Sequence, residues 1–172
     1  VLARCLKEYE TFNASLSPDG QNLILKSYVN IGIAVDTPQG LIVPVIRNVD
    51  QKRIQEISDE IADFGARARA RRIRATEMGG ASMSISSLGG IGGEAFSPIV
   101  NPPEVAILGI NRTEMRPVWD GQIFVPRRMV PLDLSYDHRA VNGADAARFL
   151  NRYRYLINNA DDLVTGIAGQ SE

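Results

Sequence analysis

Apolar residues along the chain recur at intervals of two in some stretches and of three to four in others. Val1, Leu2, Cys5, Leu6 and Tyr9 share one helical face, so the opening reads as the end of a buried helix. Ser17-Pro18-Asp19-Gly20 is a strong turn signal. Residues 22–35, rich in Leu, Ile, Val and Tyr, read as strand with an interruption near Ser27. Thr37-Pro38-Gln39-Gly40 is a second turn. Leu41 to Ile46 is a short apolar run whose Pro44 demotes it to an edge or bulged strand. Ile54, Ile57, Ile61, Phe64 and Ala68 predict an amphipathic helix from about 51 to 72.

Beyond that helix, Ala81 to Ser86 alternates small or polar residues with apolar ones and reads as a strand leading into the flexible loop Gly89–Gly93. Val105 to Ile110 is a buried strand. Asp120-Gly121 is a hairpin turn between the Trp119 region and Ile123–Val125. Met129 to Tyr136 reads as one half-buried strand, followed by a helix from about Ala144 to Ile157. Strands dominate, with at least two long helices. The class is therefore α/β or α+β with a largely mixed sheet, in one domain over 1–172.

Composition narrows the partners. A formal net charge of -1 offers no basic face for nucleic acid. No apolar run is long enough to span a membrane, and no signal-peptide pattern is present. A single cysteine, Cys5, excludes a disulfide framework within the chain and fits a reducing compartment. The arginines at 67, 69, 71, 72 and 74 crowd the end of the first long helix, where positive charge complements the helix dipole. They read as a solvated helix end in preference to an anion site.

The densest polar chemistry is Ser135-Tyr136-Asp137-His138-Arg139-Ala140-Val141-Asn142-Gly143, between a strand and a helix. His138 is the only histidine, and imidazole suits proton abstraction near neutrality. Asp137 and Arg139 read as an ion pair that fixes the loop, and Asn142-Gly143 as a turn into the helix. The glycine loop at 89–93 is not a phosphate cradle: no Lys-Ser/Thr follows and Glu94 would repel phosphate.

The stretch Leu134–Arg139 with Asn142-Gly143, then Ala144-Asp145-Ala146-Ala147-Arg148-Phe149-Leu150, resembles the signature of dihydrolipoamide acyltransferases, the E2 components of 2-oxo acid dehydrogenase complexes. Phe12–Ser15, Gly32–Val35, Gly40–Arg47, Ser84–Gly89, Pro98–Asn101 and Glu104–Gly109 resemble the same family in its usual order, over nearly the whole chain. The wording of Pro117–Gly121 is most similar to the bacterial pyruvate dehydrogenase branch.

That resemblance implies a chloramphenicol-acetyltransferase-like fold: a mixed sheet with helices on one side, the building block of a trimer. It implies acyl (here acetyl) transfer between dihydrolipoamide and coenzyme A, the lipoyl group being carried on a separate domain, with no metal. His138 would be the general base. Ser86, from a neighbouring subunit, would stabilise the oxyanion, and Asn142 would complete the site. Asp137, Arg139 and Gly143 would support it. Many members carry Asp where this chain has Asn142, and a neutral amide can orient groups but cannot act as a base. The implied partners are two further copies, a larger cubic core, the lipoyl domain, and the E1 and E3 components, with no nucleic acid and no membrane. The implied location is the bacterial cytoplasm, or the mitochondrial matrix in a eukaryote.

Two features depart from the family. The domain reads as N-terminally truncated, without lipoyl or subunit-binding domains. Leu163 and Val164 lead into a glycine-containing polar end at Thr165–Glu172, a weak knob for joining trimers into a shell. Two other readings remain open: a scaffold core without activity, and a free-standing CoA-dependent acetyltransferase.

Overall fold

The computed structural model describes residues 1–159. α1 (Leu2–Glu8) leads through a 3-10 turn into a hairpin of β1 (Ala14–Leu16) and β2 (Leu23–Leu25). β3 (Ile31–Ile33) is followed by a second hairpin, β4 (Val35–Thr37) with β5 (Gly40–Ile42), and then by β6 (Val45–Ile46). After α2 (Ile54–Arg69) come β7 (Met83–Ser87), β8 (Ala106–Ile110), a third hairpin of β9 (Glu114–Trp119) and β10 (Phe124–Met129), then β11 (Leu132–Tyr136) and α3 (Gly143–Asn158).

Five strands form the central sheet in the order β11-β8-β7-β3-β6. The outer pairs β11/β8 and β3/β6 are antiparallel, while β8/β7 and β7/β3 are parallel, so the sheet is mixed. Side chains alternate across it. Met83, Ile85, Ala106, Leu108, Leu132 and Leu134 join the core with α1 and α3. The opposite face carries Ser82, Ser84, Ser86, Ile107, Gly109, Asp133 and Ser135, and the segment from 96 to 104 crosses it. There the Phe96 backbone N–H donates to Asp133 Oδ2 at 3.0 Å. The Phe96 ring sits so close over Gly109 that a Cβ there would lie 2.9 Å from it, so a larger residue would have to displace the ring.

On the helical side Phe12 and Phe149 stack at 4.3 Å, with the Tyr9 ring edge-on to Phe149 at 5.7 Å. Burying rings of this size contributes about 1.5–3 kcal/mol each. The Glu8 carboxylate accepts from Arg152 at 2.6 Å and locks α1 to α3. Cys5 is fully buried and free, and burial pushes its thiol up to about 11.

Several element boundaries differ from those that hydrophobic periodicity predicts. The interruption near Ser27 is a gap from 26 to 30, where the Asn13 amide donates to the carbonyls of Lys26 and Tyr28. Pro44 splits the apolar run into β5 and β6, and β6 is the sheet edge. Met129 ends β10 instead of opening β11. The chain breaks at Val130-Pro131, where the Pro131 carbonyl accepts from the Asn111 backbone N–H at 3.1 Å. The helix expected over 51–72 is α2, shorter at both ends. Val49–Gln51 is a separate 3-10 turn. At the other end Arg71 takes the left-handed conformation, φ +58°. Its N–H bonds Ala68 O at 3.0 Å and that of Arg72 bonds Arg67 O at 2.8 Å, a Schellman closure. A side chain bearing a Cβ costs about 1 kcal/mol there.

No described helix is long and apolar enough to cross a membrane. The expectation drawn from Leu163–Glu172 lies outside the described residues.

Candidate active site

β11 delivers the His138 turn. As the strand ends, the Asp137 N–H donates to Val105 O at 2.8 Å. The Asp137 carbonyl then accepts from Ala140 and Val141 N–H at 2.9 and 3.0 Å. Val141 is buried and pins the far side of this turn, so His138 and Arg139 project to the exterior. Arg139 folds back on Asp137, Nη2 donating to Oδ2 at 2.6 Å, and its backbone N–H also donates to Oδ1. Those bonds hold the Asp137 carboxyl below its ordinary range. The His138 ring lies 5.6 Å from the Tyr136 ring at a 45° tilt.

Asn142 is the N-cap of α3. Its Oδ1 accepts from the Asp145 N–H at 2.9 Å, and its Nδ2 donates to Asp145 Oδ2 at 2.7 Å. One amide hydrogen stays available for a further partner. Gly143 begins α3, and a Cβ there would make only ordinary contact, 3.5 Å, with the Tyr136 hydroxyl.

Ser86 stands apart from these residues. It pairs with Gly109 on β8, and Gly109 pairs with Asp133 on β11. Tyr136, by contrast, pairs with Ala106, near the start of β8. Because β11 is antiparallel to β8, which runs parallel to β7, the His138 turn leaves the sheet where β7 begins, whereas Ser86 lies near the end of β7. Two strand spacings separate them by about 10 Å across the sheet, and the register adds about 10 Å along it. The structure does not bring Ser86 and His138 together within one chain.

A buried group that the sequence reading passed over lies between them. Glu104 is 6% exposed. Its Oε1 accepts from Ser84 Oγ at 2.9 Å and Asn101 Nδ2 at 3.3 Å, while its Oε2 has no hydrogen-bond partner among the described residues. Burial raises the Glu104 carboxyl above its ordinary value, opposed by the bonds from Ser84 and Asn101 and by Lys26. Glu104 lies on the floor of a cleft of about 520 Å³, whose rim includes Ser17, Asp19, Ile99, Tyr136, Asp137 and Arg139. The one signal was position, an acid immediately before the apolar run 105–108; adjacency alone does not fix its burial, but once buried it needs partners.

A second cleft of about 410 Å³ opens between α1 and α2, lined largely by isoleucines including Ile31, Ile33, Ile57 and Ile85. Among the described residues no group of three or more His, Cys, Asp or Glu could hold a metal ion.

Residues 1–165 match the 2-oxoacid dehydrogenases acyltransferase (catalytic domain) family. The chain belongs to that family. It is 60% identical over 155 residues to the dihydrolipoyllysine-residue acetyltransferase component of the pyruvate dehydrogenase complex of Azotobacter vinelandii, covering 90% of this chain and 24% of that protein. The chain spans between 24% and 41% of the length of curated relatives it matches.

A crystal structure of Azotobacter vinelandii dihydrolipoamide acetyltransferase superposes with a TM-score of 0.93 at 55% identity, over 95% of this chain and 67% of that one. It comes from work on a serine, a histidine and an asparagine in that enzyme's catalytic mechanism. Those three residues stand in the same order and at the same intervals as Ser86, His138 and Asn142. The cubic core of a pyruvate dehydrogenase multienzyme complex superposes at 0.88 and 59% identity, over 90% and 64% of the two chains. Chloramphenicol acetyltransferase, 14% identical with a TM-score of 0.52 over 86% and 70%, shares the fold. The family and the mixed sheet with helices on one side are as the resemblance implied.

Proposed function

We propose that this chain is the catalytic core of a pyruvate dehydrogenase-type complex and transfers an acetyl group between dihydrolipoamide and coenzyme A. The observation that carries the reading is the shared order and spacing of Ser86, His138 and Asn142 with the serine, histidine and asparagine of the Azotobacter enzyme.

Thioester exchange needs a thiolate, and a free thiol is mostly protonated at neutral pH. His138, exposed on a turn fixed by Val105 and Val141, takes the proton from the coenzyme A thiol as its sulfur attacks the acetyl carbonyl. The new C–S bond forms and the carbonyl oxygen becomes an oxyanion, to which a serine hydroxyl donates. Collapse breaks the C–S bond to dihydrolipoamide, whose departing sulfur recovers the proton from His138. Asn142 holds the start of α3 and keeps one amide hydrogen for the site. Asp137, Arg139 and Gly143 shape the turn.

Since Ser86 and His138 lie far apart in one chain, the serine comes from a neighbouring copy and the working unit is a trimer. The β9–β10 hairpin supports that assembly. Its strands pair only with each other among the described strands, and Trp119 and Phe124 are 55% and 67% exposed. A lone two-stranded hairpin is marginal in water, and an apolar surface of this kind marks an interface. Packing of trimers into a cubic core, delivery of the acetyl group by a lipoyl domain, and association with the E1 and E3 components complete the proposal. The one cysteine, buried and free, supports a reducing compartment: the cytoplasm of a bacterium, or the matrix of a mitochondrion.

The test is acetyl transfer from acetyl-CoA to dihydrolipoamide, with succinyl-CoA and small alcohols as comparison donor and acceptors. His138→Ala is expected to lower turnover at least ~100-fold while circular dichroism stays unchanged. Retained turnover would reject the base assignment. An inactive but trimeric parent would favour the scaffold reading, and a preference for small alcohols the free-standing acetyltransferase.

A further inference from the structure

We propose that Glu104 is a positioning residue for Ser86: together with Asp133 it pins the 96–104 segment to the serine-bearing face of the sheet and fixes the space in which the Ser86 hydroxyl works. The inference rests on the acyl-transfer reading, in which a serine donates to the oxyanion. Three alternate serines point to that face, at 82, 84 and 86. Ser82 Oγ donates to Tyr28 O at 3.2 Å and accepts from the Asn30 N–H at 3.0 Å. Ser84 is 1% exposed and gives its hydroxyl to Glu104. Ser86 is half-exposed, and its hydroxyl bonds no described residue.

Two carboxylates hold the crossing segment, one from each side. Asp133, on β11, accepts from the Phe96 N–H and from Asn111 Nδ2, the latter at 2.6 Å. Glu104, on the segment itself, reaches down to Ser84 on β7. The row Asp133, Gly109, Ser86 crosses three paired strands. Ser86 therefore stands in the corner between the two pins. It lies about 5 Å across the sheet from Gly109, which the Phe96 ring covers, and about 7 Å along β7 from Ser84.

Stability does not account for an acid at 104. Its Oε2 has no hydrogen-bond partner among the described residues. Lys26 attracts it from a distance, but the Lys26 ammonium donates to Ala81 O at 2.8 Å and forms no ion pair with it. A buried carboxyl with one bare oxygen costs stability relative to an apolar side chain of similar size. What it supplies is a directed bond from segment to sheet, closed at the segment's own end by Asn101.

The test is a double-mutant cycle in the acetyl-transfer assay on the full chain. Glu104→Leu should lower kcat about tenfold while KM stays within about twofold. Glu104→Gln keeps the accepting oxygen and should restore the parent's turnover. Ser84→Ala removes the same bond from the sheet side and should lower kcat at least about threefold, which keeps the cycle available if the leucine variant does not fold. In a Ser86→Ala background either loss should shrink to less than about twofold, because the hydroxyl being positioned is gone. Hydrogen exchange read by mass spectrometry should quicken across 96–104 in Glu104→Leu and not in Glu104→Gln. Equal losses with and without Ser86, a Glu104→Gln as impaired as Glu104→Leu, or unchanged exchange would each overturn the proposal. Absence of transfer by the unsubstituted chain would instead remove the acyl-transfer reading, and this inference with it.

Discussion

α2 and α3 are both sixteen residues long, and both place apolar residues along one face. Their surroundings differ. In α3 the residues Ala146, Phe149, Tyr153 and Leu156 are all buried, Phe149 completely, against α1 and the sheet. In α2 only Phe64 and Ala68, in its C-terminal half, are buried. Ile54 is 80% exposed and Ile61 41% exposed, and both line the open cleft facing Ile31 and Ile33. An apolar stripe says which side of a helix avoids water. It does not say whether the same chain supplies the cover.

The sharpest way to break this contrast is to truncate one apolar side chain on each helix. Phe149→Ala removes a ring that stacks on Phe12 and meets Tyr9, and should destabilise by about 3–5 kcal/mol in urea unfolding. Ile54→Ala removes a side chain that already faces water, and should change stability by less than about 0.5 kcal/mol. A loss above about 1 kcal/mol at Ile54 would mean that the cleft is covered in solution and that the two helices are alike after all.

The same two helices mark what the amino-acid pattern could reveal. Periodicity located both, as well as the buried strand at 106–110 and the hairpin at Asp120-Gly121, because each follows from local spacing or turn chemistry. It overran the ends of α2, since a non-glycine residue at the left-handed Arg71 gives no stop signal. It joined Met129 to β11 because alternation continues through Val130-Pro131 while the backbone changes partner there. His138, Asp137 and Arg139 were legible as a polar cluster at a strand end. The distance between Ser86 and His138 was not, because it depends on register across three strands. Glu104 stayed hidden because its partners, Ser84 and Lys26, are remote in sequence.

The helix starts sharpen the comparison at a smaller scale. α3 begins on a side-chain cap from Asn142 to the Asp145 N–H, so Asn142→Ala should lose about 1 kcal/mol. α2 has no such cap from Arg53, and its start rests on the Glu56 carboxylate accepting from the Arg53 N–H at 2.7 Å. Glu56→Ala should lose roughly 0.5–1 kcal/mol by thermal unfolding. Asn142→Asp preserves the acceptor of the cap but replaces the bond to Asp145 with repulsion. If Asn142 only caps, the activity of Asn142→Asp and Asn142→Ala will follow their stability. An activity loss in Asn142→Asp larger than its change in Tm would assign the amide a part in transfer.

The smallest effect concerns the ion pairs that hold each helix. α3 is tied to distant α1 by Glu8 and Arg152, whereas α2 is tied to its own following segment by Arg67 and Glu77. The hydrogen bond from Arg152, then that from Arg4, holds the Glu8 carboxyl below its ordinary value of 4.5. Its stabilising contribution is therefore complete above pH 4.5 and is lost as pH falls through the depressed value. For a partly exposed pair that contribution is about 0.5–1 kcal/mol. Arg152→Gln should remove it at pH 7 and flatten the acid limb of Tm against pH. Glu104 has the opposite sign. Burial raises its carboxyl, so its contribution is present at low pH and lost as pH rises through the raised value. Glu104→Gln should therefore gain on the parent from acid to neutral pH while Arg152→Gln falls behind it. Variant Tm curves that both run parallel to the parent's would refute both assignments.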